Sequence, residues 1–346
     1  MMLALLSLFV SVSSADSQAN RLRVEYLEAP LTIDVPAPRF SWALQHAQRG
    51  QVQTAYHLIV STAPAVGTPV VVWDTGKVSS STSLNVKYMG APLISDTDYA
   101  WTVTWFDAAG AASTPAAATF STPLLDSSAW QGAEWVSSPT NGSFNTYRAE
   151  FSVDGASPVR ARLYMHGLGY AKTWLNGALT DSHELGTFTT FQQRTLYDVI
   201  DVTPLVKAGC NAIGVMLGHG WFSQPHVHAG PRQFRLLLAL TASDGTTTHL
   251  TSSNAGGSLV FAAAAGPVLA DDIYLGETYD ARVAVAMAGW AACGFAPSPA
   301  WAPTEAPAVS PATFGSVISA HGVHITTDRS YSALAITSPL PNVYVV

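Results

Sequence analysis

Along residues 98–106, large apolar side chains alternate with small or polar ones. Tyr99, Trp101, Val103 and Trp105 are interleaved with Asp98, Ala100, Thr102 and Thr104. Successive side chains of a strand point to opposite faces, so these four large residues share one face. The same period of two recurs in Tyr56, Leu58 and Val60, in Val159, Ala161, Leu163 and Met165, and in Phe234, Leu236, Leu238 and Leu240. Turn formers stand between these runs: residues 107–110, Asn176-Gly177 and Asp244-Gly245. No amphipathic helix of about a dozen residues is visible, and residues 202–207 make a single helical turn at most. Many short strands with regular turns predict an all-β chain of antiparallel sandwiches.

The pattern divides the chain. Residues 1–12 are an apolar run followed by Ser13, Ser14 and Ala15, which reads as a secretory leader occupying residues 1–19. The run is shorter than the roughly 20 apolar residues that a membrane-spanning helix needs. Residues 20–124 have the length of an immunoglobulin-like or fibronectin type III-like sandwich. A larger β module follows over residues 125–311 and closes on a Pro/Ala-rich stretch. Residues 312–346 read as a linker and the first strand of a further, truncated domain, whose apolar strand material has no pairing context.

Composition narrows the function. Of 346 residues, 48% are hydrophobic and 11% charged, which suits folded cores rather than disorder. The net charge of -7 and the scattered basic residues argue against a nucleic-acid partner. An uncharged ligand such as a sugar fits this balance better. The two cysteines, Cys210 and Cys293, either pair in an exported chain or stay as separate buried thiols. Asn141-Gly142-Ser143 is an N-glycosylation sequon.

The order of several segments carries a resemblance. Arg39-Phe40-Ser41-Trp42, Gly50-Gln51-Val52-Gln53-Thr54-Ala55-Tyr56, Trp73-Asp74-Thr75-Gly76-Lys77-Val78 and Tyr99-Ala100-Trp101 follow one another. Together they resemble the N-terminal sandwich of bacterial-type α-L-rhamnosidases. Gly167-Leu168-Gly169-Tyr170, Leu175-Asn176-Gly177, Leu217-Gly218-His219-Gly220-Trp221-Phe222 and residues 270–282 then resemble the family's second sandwich, which is related to rhamnose-binding modules. No single motif is specific, but the ordered set is. The resemblance implies a fibronectin III/immunoglobulin-like domain followed by a jelly-roll, carbohydrate-binding-like domain. It implies a rhamnose-containing glycan or glycoside as partner. In that family hydrolysis resides in an (α/α)₆ barrel further along the chain, with an acidic pair arranged for inversion. Nothing here corresponds to that barrel, so no catalytic residue is assigned. Three readings stay open: a non-catalytic, glycan-binding front part of such a protein, a truncated product of a full hydrolase, and a scaffold without sugar affinity.

A sugar site needs an aromatic ring for the C–H face and fixed polar groups for the hydroxyls. The candidates are Trp221, Asp181, Asn176, His183 and His226. Trp221 follows the turn-like Gly218-His219-Gly220; its alternative role is core packing. Asn176 before Gly177 is also a turn residue. The rhamnose-binding modules that this region resembles use calcium, which points to Asp181 as an oxygen ligand, although an acidic residue expected at Thr190 is missing. His219, His226 and His228 offer imidazoles without a carboxylate or cysteine at metal spacing, so a polar loop is the favoured reading over zinc. Asp271, Asp272, Glu277 and Asp280 are expected to form an acidic turn with Arg282 rather than a catalytic pair.

Overall fold

The computed structural model describes residues 17–138, 145–181, 183–184, 186, 188–223, 230–297, 300–307, 316–320, 325–326, 332, 337–340 and 343–345. In the first module, β1 (Ser17–Val24), β2 (Arg39–His46), β3 (Ala55–Thr62), β4 (Val71–Ser79), β5 (Val86–Lys87), β6 (Asp98–Phe106) and β7 (Ala116–Ser121) form two sheets, ordered β1-β2-β5 and β4-β3-β6-β7. The alternation along β6 produces the core directly. Tyr99, Trp101, Val103 and Trp105 are buried, each flanked by half-buried residues. They pack with Phe40, Trp42, Tyr56, Leu58, Val60 and Phe120. Burying a large apolar side chain stabilises by roughly 1.5–3 kcal/mol. β1 pairs Ser17 with His46 and Ala19 with Leu44. β1 thus begins within the span expected for the leader, and a leader ending at residue 19 would remove three residues of this ladder.

The second module contains β8 (Val136–Ser137), β9 (Thr146–Val153), β10 (Arg160–Leu168), β11 (Tyr170–Leu175), β12 (Ala178–Leu179), β13 (His183–Glu184), β14 (Arg194–Asp201), β15 (Gly209–Gly218), β16 (Gln233–Thr241), β17 (Thr247–Ser253), β18 (Leu259–Val260), β19 (Ala262–Ala264), β20 (Val268–Asp272), β21 (Gly276–Tyr279), the short helix α1 (Ala281–Ala286), β22 (Ala302–Pro303), β23 (Ser316–Ser319) and β24 (Ile325–Thr326). β25 (Thr337–Leu340) and β26 (Val343–Val345) pair with each other. One sheet runs β18-β17-β16-β10-β14-β23 and the other β12-β11-β15-β9-β19-β22. Between them lie Ala161, Leu163 and Met165 of β10, Phe234, Leu236, Leu238 and Leu240 of β16, and Ile213, Val215 and Leu217 of β15. Val159 precedes the strand and is exposed, so it falls outside the inward row that its sequence pattern suggests. The turn near residue 203 is a 3-10 turn, Thr203–Leu205. The chain is therefore a tandem of β-sandwiches. Among the described residues its ladders are antiparallel except for β14–β23 and β17–β18.

β23 changes the boundary expected after residue 311. It lies parallel to β14, and Ser319 donates from its hydroxyl to Thr32 O and Asp34 Oδ2, both at 3.2 Å. Chain beyond Pro311 thus completes a sheet of the second module.

The two modules meet on the outer face of β10. Arg160 donates to Asp98 Oδ2 at 2.7 Å and to Asp96 Oδ1 at 2.6 Å. Arg162 reaches Asp98 Oδ1 at 3.1 Å, and the Tyr164 hydroxyl donates to Asp96 at 2.5 Å. Burial opposes the charge of Asp98, but Arg160 and Arg162 outweigh it and hold the carboxyl below its ordinary range. Apolar packing continues the contact through Leu124, Trp130, Tyr164, Tyr197 and Leu237.

Cys210 at the start of β15 and Cys293 after α1 form a disulfide, with their Cα atoms 6.0 Å apart. The segment it ties down is also held by Arg148, whose guanidinium donates to Trp290 O at 2.8 Å, and by Gly177 N–H bonding Ala291 O. Among the described residues, no helix is long and apolar enough to cross a membrane.

Candidate functional site

The loop after β15 is pressed onto the start of β11, because Tyr170 is the register partner of Gly218. Two glycines permit the approach. A Cβ on Gly169 (φ +140°) would lie 2.6 Å from Gly218 O, and one on Gly220 (φ +52°) would lie 2.8 Å from Tyr170 N. Only glycine adopts such backbone at no steric cost. Past Gly220 the chain delivers Phe222 inward and Trp221 outward. Phe222 is buried with Leu168 and Phe191, and Trp221 packs half-exposed against that cluster.

Rings from three separate segments meet at Trp221. Phe188 lies 5.5 Å from it, centroid to centroid, at an interplanar angle of 78°, and Tyr274 of the β20–β21 turn lies 6.2 Å away at 80°. Both partners are mostly exposed, at 55% and 70%. Edge-to-face pairs within 7 Å are attractive, so the three rings form a held group rather than scattered side chains. The concavity beside them is lined by Gly169, Tyr170, Phe191, Asp198, Trp221 and Phe222.

Polar groups fix the loop. Asp271 of β20 accepts the His219 backbone N–H at 2.6 Å on one oxygen and faces His219 Nδ1 at 2.9 Å with the other. Arg232 stands 3.8 Å from the same carboxylate while donating to Leu217 O at 2.9 Å. Burial pushes the Asp271 carboxyl up, but the two His219 hydrogen bonds and the charges of His219 and Arg232 bring it below its ordinary value.

The other sequence candidates are dispersed. Asn176 occupies the β11–β12 turn with φ +53°, followed by Gly177 at +82°, as a type I′ turn requires. Its side chain donates to Leu205 O and Asn211 and accepts from Ala212 N–H. Asp181 follows β12, and its carboxylate is 4.0 Å from the Lys172 ammonium. His183 pairs through β13 with Thr326 of β24. Asn141, His226 and His228 lie outside the described residues. Among the described residues, the metal-sized group of His, Cys, Asp or Glu is Glu150 with Cys210 and Cys293, and the disulfide occupies both sulfurs.

Asp272 and Asp280 of the acidic turn bond to backbone and Arg282. Asp272 accepts Tyr274 and Leu275 N–H, and Asp280 caps α1 by accepting Arg282 N–H while pairing with its guanidinium. Tyr274 is the platform ring that sequence reasoning missed. Its signal was an adjacent apolar pair, Tyr274-Leu275, left exposed inside an acidic turn.

Residues 19–126 match a family model described as a Rha78A-like, N-terminal immunoglobulin domain. Residues 156–326 match the alpha-L-rhamnosidase N-terminal domain. These are the N-terminal domains of the α-L-rhamnosidase family. An alpha-L-rhamnosidase of Formosa agariphila is 31% identical over 291 residues, which is 73% of this chain and 30% of that protein. The solved α-L-rhamnosidase from Dictyoglumus thermophilum superposes with a TM-score of 0.82 at 27% identity, covering 94% of this chain and 38% of its own. That from Aspergillus terreus gives 0.79 at 26% identity, covering 93% and 37%. The chain therefore spans about a third of the length of the rhamnosidases it matches. The second rhamnosidase domain match runs past Pro311, in agreement with β23 completing its sheet.

Proposed function

We propose that this chain is a glycan-binding front part of a rhamnosidase-type protein, and that its second sandwich binds rhamnose-containing glycans at the Trp221 platform. The observation that carries the reading is the convergence of Phe188, Trp221 and Tyr274, from three segments, at an exposed edge. The 6-methyl group and C–H face of a rhamnosyl unit suit such rings, and the nearby backbone and Asp198 supply polar partners. Rhamnose as the sugar class rests on the relatives, which are named alpha-L-rhamnosidases. The reading includes export, with residues 1–19 as the leader, and glycosylation of Asn141 if the host is a eukaryote.

Calorimetric titration with L-rhamnose and rhamnosylated glycans tests the reading. The expected result is saturable binding that Trp221→Ala weakens at least about fivefold, since a stacked ring contributes on the order of 1 kcal/mol. Absence of binding to every rhamnoside would leave the scaffold reading. A chelator arm is included: affinity that falls on chelation would support a metal held by Asp181, and unchanged affinity would count against it.

A further inference from the structure

Among the described residues the β20–β21 hairpin pairs with no other strand, yet it supplies Tyr274 to the platform. What sets its distance from Trp221 is a contact three residues before that ring. Asp271 sits on the hairpin, and its two oxygens take the backbone N–H and the Nδ1 of His219, two residues before Trp221. A carboxylate that accepts two hydrogen bonds from one residue fixes both the position and the orientation of that residue. Arg232, anchored on Leu217 O, braces the carboxylate from the β16 side. The space is closed on the remaining side by Gly218, where a Cβ would meet Asp271 Oδ1 at 3.0 Å.

We propose that Asp271 is the positioning residue of the aromatic platform, holding the Gly218–Trp221 turn against the β20–β21 hairpin so that Trp221 and Tyr274 face one sugar together. This rests on the sugar-binding reading of the platform. The contact itself can be tested without sugar. The backbone bond to His219 N–H carries the geometry and the ring bond reinforces it. Asp271→Ala removes both, while His219→Ala removes only the second. Gly218→Ala keeps the carboxylate but displaces it by a few tenths of an ångström.

The experiment has two readouts on the full chain. The first is the ring-to-ring nuclear Overhauser contact between Trp221 and Tyr274 in the absence of sugar. It should be lost in Asp271→Ala, weakened in Gly218→Ala and retained in His219→Ala. The second is the L-rhamnose dissociation constant measured well below the melting temperature of each variant. It should rise about tenfold for Asp271→Ala and about twofold to threefold for His219→Ala, as expected for hydrogen bonds to a charged acceptor. Asp271→Glu should restore less than half of the loss, because the longer side chain meets the same closed space. An unchanged ring contact in Asp271→Ala overturns the proposal. So does a lowered melting temperature with unchanged affinity, which would mean that Asp271 only stabilises the fold. If the parent binds no rhamnoside while Asp271→Ala still loses the ring contact, the sugar reading fails and the positioning of the two rings by Asp271 stands.

Discussion

Arg160 shows how much one side chain holds. It is nearly buried, and it bridges two carboxylates of the other module, Asp96 and Asp98. Removing one partner of a buried pair leaves an uncompensated charge, a loss on the order of 3 kcal/mol. Arg160→Ala is expected to lower the urea midpoint accordingly, and a change under 0.5 kcal/mol, as at an ordinary surface site, would contradict this. The pH dependence follows from Asp98, whose folded carboxyl is held low by Arg160 and Arg162 against its own burial. A depressed carboxylate stabilises fully above its unfolded value of about 3.9 and loses that contribution as pH falls through the folded value. The stability gap between the parent and Asp98→Asn should therefore be constant at neutral pH and close below about pH 4. None of this was legible in the sequence. Arg160, Arg162 and Tyr164 alternate with inward apolar residues, a pattern that does not distinguish solvent from another module, and the first module buries them.

At the scale of the element, the strands were legible because one physical pattern writes them. Period-two burial along β6 and β16 follows from one face meeting a core, and Asn176-Gly177 makes the turn that its two positive φ values demand. What the pattern did not show is that part of residues 312–346, the strand β23, joins the second module. β23 adds to β14 in parallel, and a parallel partner from a distant segment leaves no local turn signal. Truncation after Pro311 should consequently lower the melting temperature of the second module and expose the β14 edge to association; equal melting of both forms would refute that assignment. The Cys210–Cys293 disulfide closes a separation of 83 residues. Replacing both cysteines by serine is expected to cost about 2–4 kcal/mol in denaturant unfolding, since the crosslink restricts the unfolded chain. A cost near zero would show that the Arg148 and Gly177 contacts suffice. Cysteine spacing alone could not decide the pairing, because proximity is a tertiary fact.

For the whole molecule, two sandwiches share a buried charged interface and present an aromatic group on the second. A glycosidase needs two carboxyls flanking the scissile bond. Here Asp271 is bound to His219, Asp272 to its own turn, and Asp280 to the α1 N-terminus and Arg282. The purified chain is accordingly expected not to hydrolyse p-nitrophenyl α-L-rhamnoside, and turnover that tracks with the chain through purification would contradict this. Part of the platform was legible: Trp221 after Gly218-His219-Gly220 stood out as an aromatic after a turn. Tyr274 was not, because it reaches Trp221 only through a hairpin that folds back across about 50 residues of chain.

The most direct test is an NMR titration of the chain with L-rhamnose, observing the indole N–H signals of its ten tryptophans. The Trp221 signal should move in a saturable way together with the Phe188 and Tyr274 ring protons, while the buried Trp42, Trp101 and Trp105 signals stay in place. Saturable shifts confined to other tryptophans, or no shifts at millimolar sugar, would contradict the placement of the site.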